Sequence, residues 1–217
     1  MAYNSFPPKP LSSAEYQREQ VLNWLAENVP QSRTQHILRV EKMAMQLAQQ
    51  HHLDVHKAAT AGLLHDLAKY FLPTRLLEMA EAAKLELTAV DLANPHLLHA
   101  DISAIIAAEE FGVTDPEILQ AIANHTLGKP GMDQLSCVVF LADSVEPGRG
   151  NHPQLEAIRK ICVLNLYQAV WMTCDRTLSH LLATGALMHP RMVLTRNWAL
   201  QMSPAQSSQK PQVAAAH

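Results

Sequence analysis

Residues 61–70 read AGLLHDLAKY, and how this stretch is read decides the fold. His65 and Asp66 stand side by side in an otherwise apolar segment. They offer a nitrogen and an oxygen ligand from adjacent positions of one helical turn. The segment is rich in small residues: Ala58, Ala59, Ala61, Gly62 and Ala68. Gly62 costs a helix about 1 kcal/mol relative to Ala, so it marks a place where a neighbouring helix comes close. Asp54 can cap this helix, which is expected to run to about residue 70. His65 and Lys69 are then one turn apart on one face, which puts a cation beside the dyad.

Four more segments share this character. His36 lies in SRTQHILRV, His99 in PHLLHADIS, His125 in AIANHTLGKP and Asp143 in VVFLADSVEPGR. All read as helices whose remaining faces are apolar. Ionised aspartates and unpaired imidazoles are costly to bury unless they are paired or coordinate a metal. A lone buried histidine is ordinarily satisfied by a backbone carbonyl, but this many placements call for one shared explanation. Four histidines and two carboxylates suit a first-row transition metal such as iron, manganese or zinc rather than calcium or magnesium. Ligands drawn from separate helices are what a bundle-core metal site requires.

The rest of the chain supports an all-α, single-domain helical bundle. At 217 residues there is room for one sizeable core. Hydrophobic residues make up 48% and aromatics only 5%, and much of the apolar content is Ala and Leu, which favour helix. A Ser12/Glu15 capping box opens a first helix. A second spans 32–52, with Ile37, Val40, Ala44, Leu47 and Ala48 as its apolar stripe. Others start at Pro73, Pro95, Pro116, Met132 and Pro153, the last running to about residue 184, and a final one covers 191–200. Val138 to Leu141 have strand propensity but continue the Met132 segment, so they are assigned to helix. Residues 1–10 and 203–217, rich in Pro, Ser, Gln and Ala, are expected to be a disordered arm and tail around a helical unit at 11–202.

Bulk properties exclude several classes. A net charge of −3 leaves no general basic face for nucleic acid. No secretory leader is evident in MAYNSFPPKP, and no segment is long enough to span a bilayer, so a cytoplasmic protein with no membrane partner is expected. Cys137, Cys162 and Cys174 form no CxxC, which fits reduced thiols.

The series H…HD…H…H…D resembles the ligand order of the HD-domain metal-dependent phosphohydrolases, in its two-metal version. The flanking text is more specific. R-x-x-H at Arg33 and His36, A-G-L-L-H-D-x-A-K, P-x-L-L-H, H-T-x-G and L-A-D-x-x-E-P-x-R together resemble the YqeK-type hydrolases, over residues 31–198. That family cleaves diadenosine tetraphosphate symmetrically to two ADP. The resemblance implies an HD-type bundle whose metal ligands all lie within 36–143. It implies one metal on His36, His65, Asp66 and Asp143, with Asp66 bridging to a second on His99 and His125. The cofactors would be two divalent or mixed-valence transition metal ions, with iron the first choice, and the small-molecule partner a nucleotide. A homodimer is left open. Two metals a few Å apart can activate a water and polarise a phosphoryl oxygen together.

Cations for a polyphosphate must be local, because the overall charge supplies none. Arg33, Lys69, Lys129 and Arg149 each neighbour a metal ligand or sit in the loop that follows one. Thr126 and Gly128 can add a hydroxyl and an amide. Asp66 and Lys69 are assigned to catalysis; Arg33, Lys69, Thr126, Gly128, Lys129 and Arg149 to substrate. Glu146 is read either as an i+3 partner of Arg149 or as a direct participant. His96 rivals His99, and family spacing favours His99. His51, His52, His56, His152, His180 and His189 have no motif context and are expected at the surface. Three other functions stay open: an HD phosphatase for a monophosphate or alarmone, a two-iron HD oxygenase, and a metal-bound regulatory module without turnover.

Overall fold

A computed structural model of the chain describes residues 13–203, with side chains placed from residue 18 onward. The Ser12/Glu15 capping box and the expected disorder of 1–10 and of the tail from 204 lie outside those described residues. Within them the chain is helical, with no strand. Eleven α-helices follow in order: α1 (Ser13–Asn28), α2 (Gln31–Gln50), α3 (Val55–Leu64), α4 (Pro73–Ala82), α5 (Ala89–Ala93), α6 (His99–Glu109), α7 (Pro116–Asn124), α8 (Gln134–Val145), α9 (Pro153–Cys162), α10 (Leu166–Thr184) and α11 (Pro190–Met202). Short 3-10 turns occupy Pro95–Leu98 and Pro147–Arg149.

α8 is the axis of the bundle. Leu135 to Leu141, Ala142 and Val145 are all buried, so the helix is enclosed on every side, as one that is apolar all round must be. The strand-prone run Val138 to Leu141 lies inside it as helix. Asp133 starts α8 by accepting the Ser136 amide. α2 and α7 pack on α8, and α3 lies along α2. There the expected close approach is found: a Cβ on Gly62 would come within 3.0 Å of the Glu41 Cα.

Three boundaries differ from the sequence-based expectation. α3 is capped by Asp54 as foreseen, but it ends at Leu64 rather than near residue 70. Its ladder is diverted. The Ala68 amide donates to the Ser103 hydroxyl at 3.0 Å, and Lys69 and Phe71 make tighter bonds to Asp66 and Ala68, three residues back. The long helix expected from Pro153 is two helices, because the Asn165 side chain accepts the Gln168 amide and starts α10 afresh. A short helix, α5, precedes Pro95. It is held by a reciprocal capping box between Thr88 and Asp91.

All three cysteines are free and buried, and burial pushes the thiols of Cys162 and Cys174 up to about 12. No helix among the described residues is long and apolar enough to cross a membrane.

Candidate metal centre

His36 projects from the second turn of α2, His65 and Asp66 follow the end of α3, and His99 begins α6. His125 caps the C-terminus of α7, and Asp143 lies in the last turn of α8. Each helix alone places one or two of these side chains. The packing of α2, α3 and α7 on α8, with α6 against α7 and α3, brings all six together.

Asp66 is the hub. Its Oδ2 lies 3.3 Å from His65 Nε2 and 3.8 Å from His36 Nε2. Its Oδ1 lies 3.3 Å from His99 Nε2 and 3.6 Å from His125 Nε2. One oxygen therefore faces each histidine pair. His36–His65–Asp66 and Asp66–His99–His125 each form a buried group with ligand atoms close enough for one ion. Asp143 Oδ1 joins the first group, 3.0 Å from His36 Nε2 and 3.9 Å from His65 Nε2.

All four imidazoles turn Nδ1 outward and Nε2 inward. His65 Nδ1 meets the Gly62 carbonyl at 2.7 Å, His99 Nδ1 the His96 carbonyl at 2.5 Å, and His125 Nδ1 the Ile122 carbonyl at 2.8 Å. These are carbonyls three residues back, and those of Gly62 and Ile122 belong to a last helical turn, where carbonyls have lone pairs to spare for a side chain. A carbonyl can only accept, so Nδ1 carries the proton and Nε2 presents a lone pair. His36 Nδ1 is held instead by Glu146 Oε1 at 2.9 Å. Fixing the outer nitrogen in this way orients an imidazole towards a metal.

The inner atoms fit a cation. Among the described residues the buried Nε2 atoms of His36 and His65 have no hydrogen-bond partner, and those of His99 and His125 face one another at 3.1 Å. Lone pairs aimed at a common point are unfavourable unless something positive sits between them. Burial opposes a charge on Asp66, but His65, then His125 and His99, hold its carboxyl well below the usual range. Burial pushes His125 down to about 4, so it is neutral near pH 7.

The expected substrate groups divide. Lys69 Nζ sits 3.2 Å from His99 Nε2, although the helix that was to carry it there has ended. Burial draws its ammonium below the ordinary lysine range, against the pull of Asp66 and Asp143. Thr126 Oγ1 lies within 3.1 Å of both His99 and His125 Nε2. Arg33 Nη1 donates to Asp66 Oδ2 at 2.9 Å, and Arg149 pairs with Asp143. Gly128 is used by the fold. Its φ is +63°, its amide goes to the Asn124 carbonyl, and a Cβ there would strike Thr195 of α11. Lys129 is exposed, and no hydrogen bond or ion pair ties it to the cluster among the described residues.

Glu146 does not make the expected i+3 pair with Arg149. It is 1% exposed and bonds His36, the Gly148 amide and Arg39, not Arg149. Arg39 went unremarked in the sequence, although R-x-x-H-x-x-R at 33, 36 and 39 sets it on the face of His36. His96 is exposed and contributes only its carbonyl. His189, expected at the surface, is buried. It caps α11 and meets Asp91 Oδ2 at 3.1 Å. No local signal announces that pair, which is 98 residues apart in sequence.

Comparison with known proteins agrees with this geometry. Residues 33–148 match the HD domain family. The chain is 32% identical over 186 residues to the symmetrical bis(5'-nucleosyl)-tetraphosphatase of Bacillus subtilis, covering 86% of this chain and 99% of that protein. It is 32% identical over 185 residues to the protein of the same name from Halalkalibacterium halodurans, covering 84% and 97%. A crystal structure from Clostridium acetobutylicum, described as a predicted HD superfamily hydrolase involved in NAD metabolism, superposes with a TM-score of 0.82 at 31% identity. That match covers 85% of this chain and 97% of the other. The chain belongs to the HD-domain family and stands, within it, among the relatives named symmetrical bis(5'-nucleosyl)-tetraphosphatase.

Proposed function

We propose that the protein is a cytoplasmic, metal-dependent hydrolase that cleaves diadenosine tetraphosphate at its middle into two ADP. The observation that carries this reading is that one buried carboxylate, Asp66, turns one oxygen towards each histidine pair. Such a hub suits two metal ions, with iron as the first choice among first-row metals. When bound, two ions a few Å apart supply an activated water and a polarised phosphoryl oxygen. His36, His65, Asp66 and Asp143 would hold one ion, and Asp66, His99 and His125 the other. The catalytic unit would be residues 11–202.

The chain's own groups do the remaining work. Lys69, beside His99, is placed to neutralise charge that develops on the transferring phosphoryl group. Thr126 presents a hydroxyl next to both histidines of the second group. Arg33 and Arg149 flank the first group and can grip phosphate oxygens. The symmetric cut is supported by the relatives' name, not by the arrangement of charges.

Chromatography of the products from metal-loaded protein is the test. ADP alone is expected, with labelled oxygen from water entering a single phosphorus. AMP plus ATP would overturn the symmetric cut, and preferred release of orthophosphate from monophosphates would put a general nucleotidase in its place.

A further inference from the structure

Next to the metal centre, on its α2 side, a cleft of about 200 Å³ opens to solvent. Three guanidinium groups line it: Arg33, Arg39 and Arg149, with Ser32, Tyr70 and Gly148 between them. His36, a ligand candidate, is also part of its wall. We propose that this cleft is the subsite for the phosphates flanking the one attacked, and that Arg39 is a specificity-determining residue for a polyphosphate chain. The inference rests on the hydrolase reading above and names the part of the molecule that would distinguish a tetraphosphate from a monophosphate.

Each arginine is already oriented by a carboxylate that uses only part of its fork. Arg33 places Nη1 on Asp66, Arg39 places Nε and Nη2 on Glu146, and Arg149 places Nη2 on the Asp143 carboxylate and Nε on the Asp143 backbone carbonyl. Among the described residues, Arg33 Nη2, Arg39 Nη1 and Arg149 Nη1 are left without such a partner. A guanidinium held by one edge keeps its other N–H groups available for phosphate oxygens.

Arg39 also rests against the chain at Gly148. A Cβ on Gly148 would lie 2.5 Å from Arg39 Nη2, so only glycine lets the guanidinium rest on the backbone there. Glu146 also lines the cleft, and its negative charge is offset by Arg39. It is 1% exposed, and its oxygens are taken by His36, Arg39 and the Gly148 amide.

α2 adds to the positive character. It is a 20-residue helix whose first turn has no acidic residue and whose N-cap, Pro30, offers no side-chain cap. Ser32 in that first turn lines the cleft, so the positive end of the helix dipole faces it. The size selects phosphates over a base, since sites that enclose a whole organic ligand are about 300–1,000 Å³. Tyr70 stands half exposed at the wall, with the Arg33 guanidinium 5.8 Å from its ring centre, and steadies that arginine.

Calorimetric titration of metal-loaded protein, freed of excess metal, with inorganic tripolyphosphate and with orthophosphate is the test. Arg39→Lys keeps a positive charge beside Glu146 but loses the fork. It should weaken tripolyphosphate about tenfold and leave orthophosphate unchanged, the loss of one charge-assisted bond. In turnover the KM for diadenosine tetraphosphate should rise by a similar factor while kcat, metal content and melting temperature hold. Unchanged KM and tripolyphosphate affinity would overturn the subsite. A fall in kcat together with lost metal would overturn it too, and would make Arg39 a positioning residue acting through Glu146 on His36. If wild-type protein leaves the tetraphosphate intact yet binds tripolyphosphate through Arg39, the hydrolase reading fails and the subsite stands.

Discussion

Lys69 and Glu146 sit on opposite sides of the metal centre and differ in what their removal should do. Lys69 Nζ lies 3.2 Å from His99 Nε2, beside the second ligand group. Removing one preorganised donor to a developing charge typically costs about 2.7–4 kcal/mol of barrier, so Lys69→Ala should lose on the order of a hundredfold in kcat. Metal content and melting temperature should stay near wild type, and normal turnover would reassign Lys69 to the solvated surface. Glu146 acts one step further out, on the Nδ1–H of His36. Outer partners of metal ligands typically contribute about 10–100-fold in metal affinity. Glu146→Gln should therefore weaken the first metal position by a factor in that range, read by competition with a chromophoric chelator. Metal affinity equal to wild type would show that Arg39 and packing alone orient His36.

At the scale of elements, α3 shows how a helix is shortened to make a site. By ending at Leu64 it frees the Gly62 carbonyl for His65 and lets the chain turn Asp66 towards four imidazoles at once. A helix continued to Tyr70 would have kept those groups in its own ladder. The small residues that make α3 legible in the sequence serve its contact with α2, where Gly62 meets Glu41. α5 depends on a different device. Asp91 accepts the Thr88 amide and hydroxyl and also meets His189 of the α11 cap. Burial alone would raise the Asp91 carboxyl, but the bonds from Thr88 and then His189 outweigh it and hold it below its ordinary value. A depressed folded value contributes stability that is present above the unfolded pKa of about 3.9 and is lost as pH falls through the folded value. Loss of a cap costs about 0.5–2 kcal/mol, a few degrees of melting temperature for a domain of this size. Asp91→Asn should show that deficit at pH 7 and a narrower one as the medium is taken below pH 4. A deficit that did not change with pH would mean the Asp91 charge contributes nothing.

The whole molecule is braced around the centre from outside the matched HD segment. Arg191 of α11 bonds the Ala123 carbonyl and pairs with Asp101, while Thr195 donates to the Leu127 carbonyl. The C-terminal helix thus grips both ends of the turn that carries His125. Ions held at Asp66 would join α2, α3, α6, α7 and α8, so binding should be visible as global stability. A ligand at a hundred times its dissociation constant adds about 2.7 kcal/mol to a fold that alone binds it. Chelation should lower the melting temperature by several degrees, and iron or manganese should restore it. Wild-type protein should take up close to two equivalents, His125→Ala about one and Asp66→Ala fewer, by elemental analysis. A wild-type value of one at saturation would remove the second position.

Composition and periodicity were enough to read an all-α bundle, because Ala- and Leu-rich segments punctuated by proline carry a helical period that does not depend on distant partners. The ligand-type residues were legible for a related reason: ionisable groups on apolar faces conflict with burial unless something pairs with them. Where helices stop was not legible at Leu64 or Cys162. Those ends follow from Ser103 taking the Ala68 amide, 35 residues away, and from the Asn165 side chain competing with the helical ladder. The partners of Glu146, the use of Gly128 and the burial of His189 were equally hidden. Each depends on which side chain arrives across 68 to 110 residues of chain. Tertiary structure alone decided that Asp66 gives one oxygen to each histidine pair, since the orientation of a carboxylate is set by the packed neighbours that surround it.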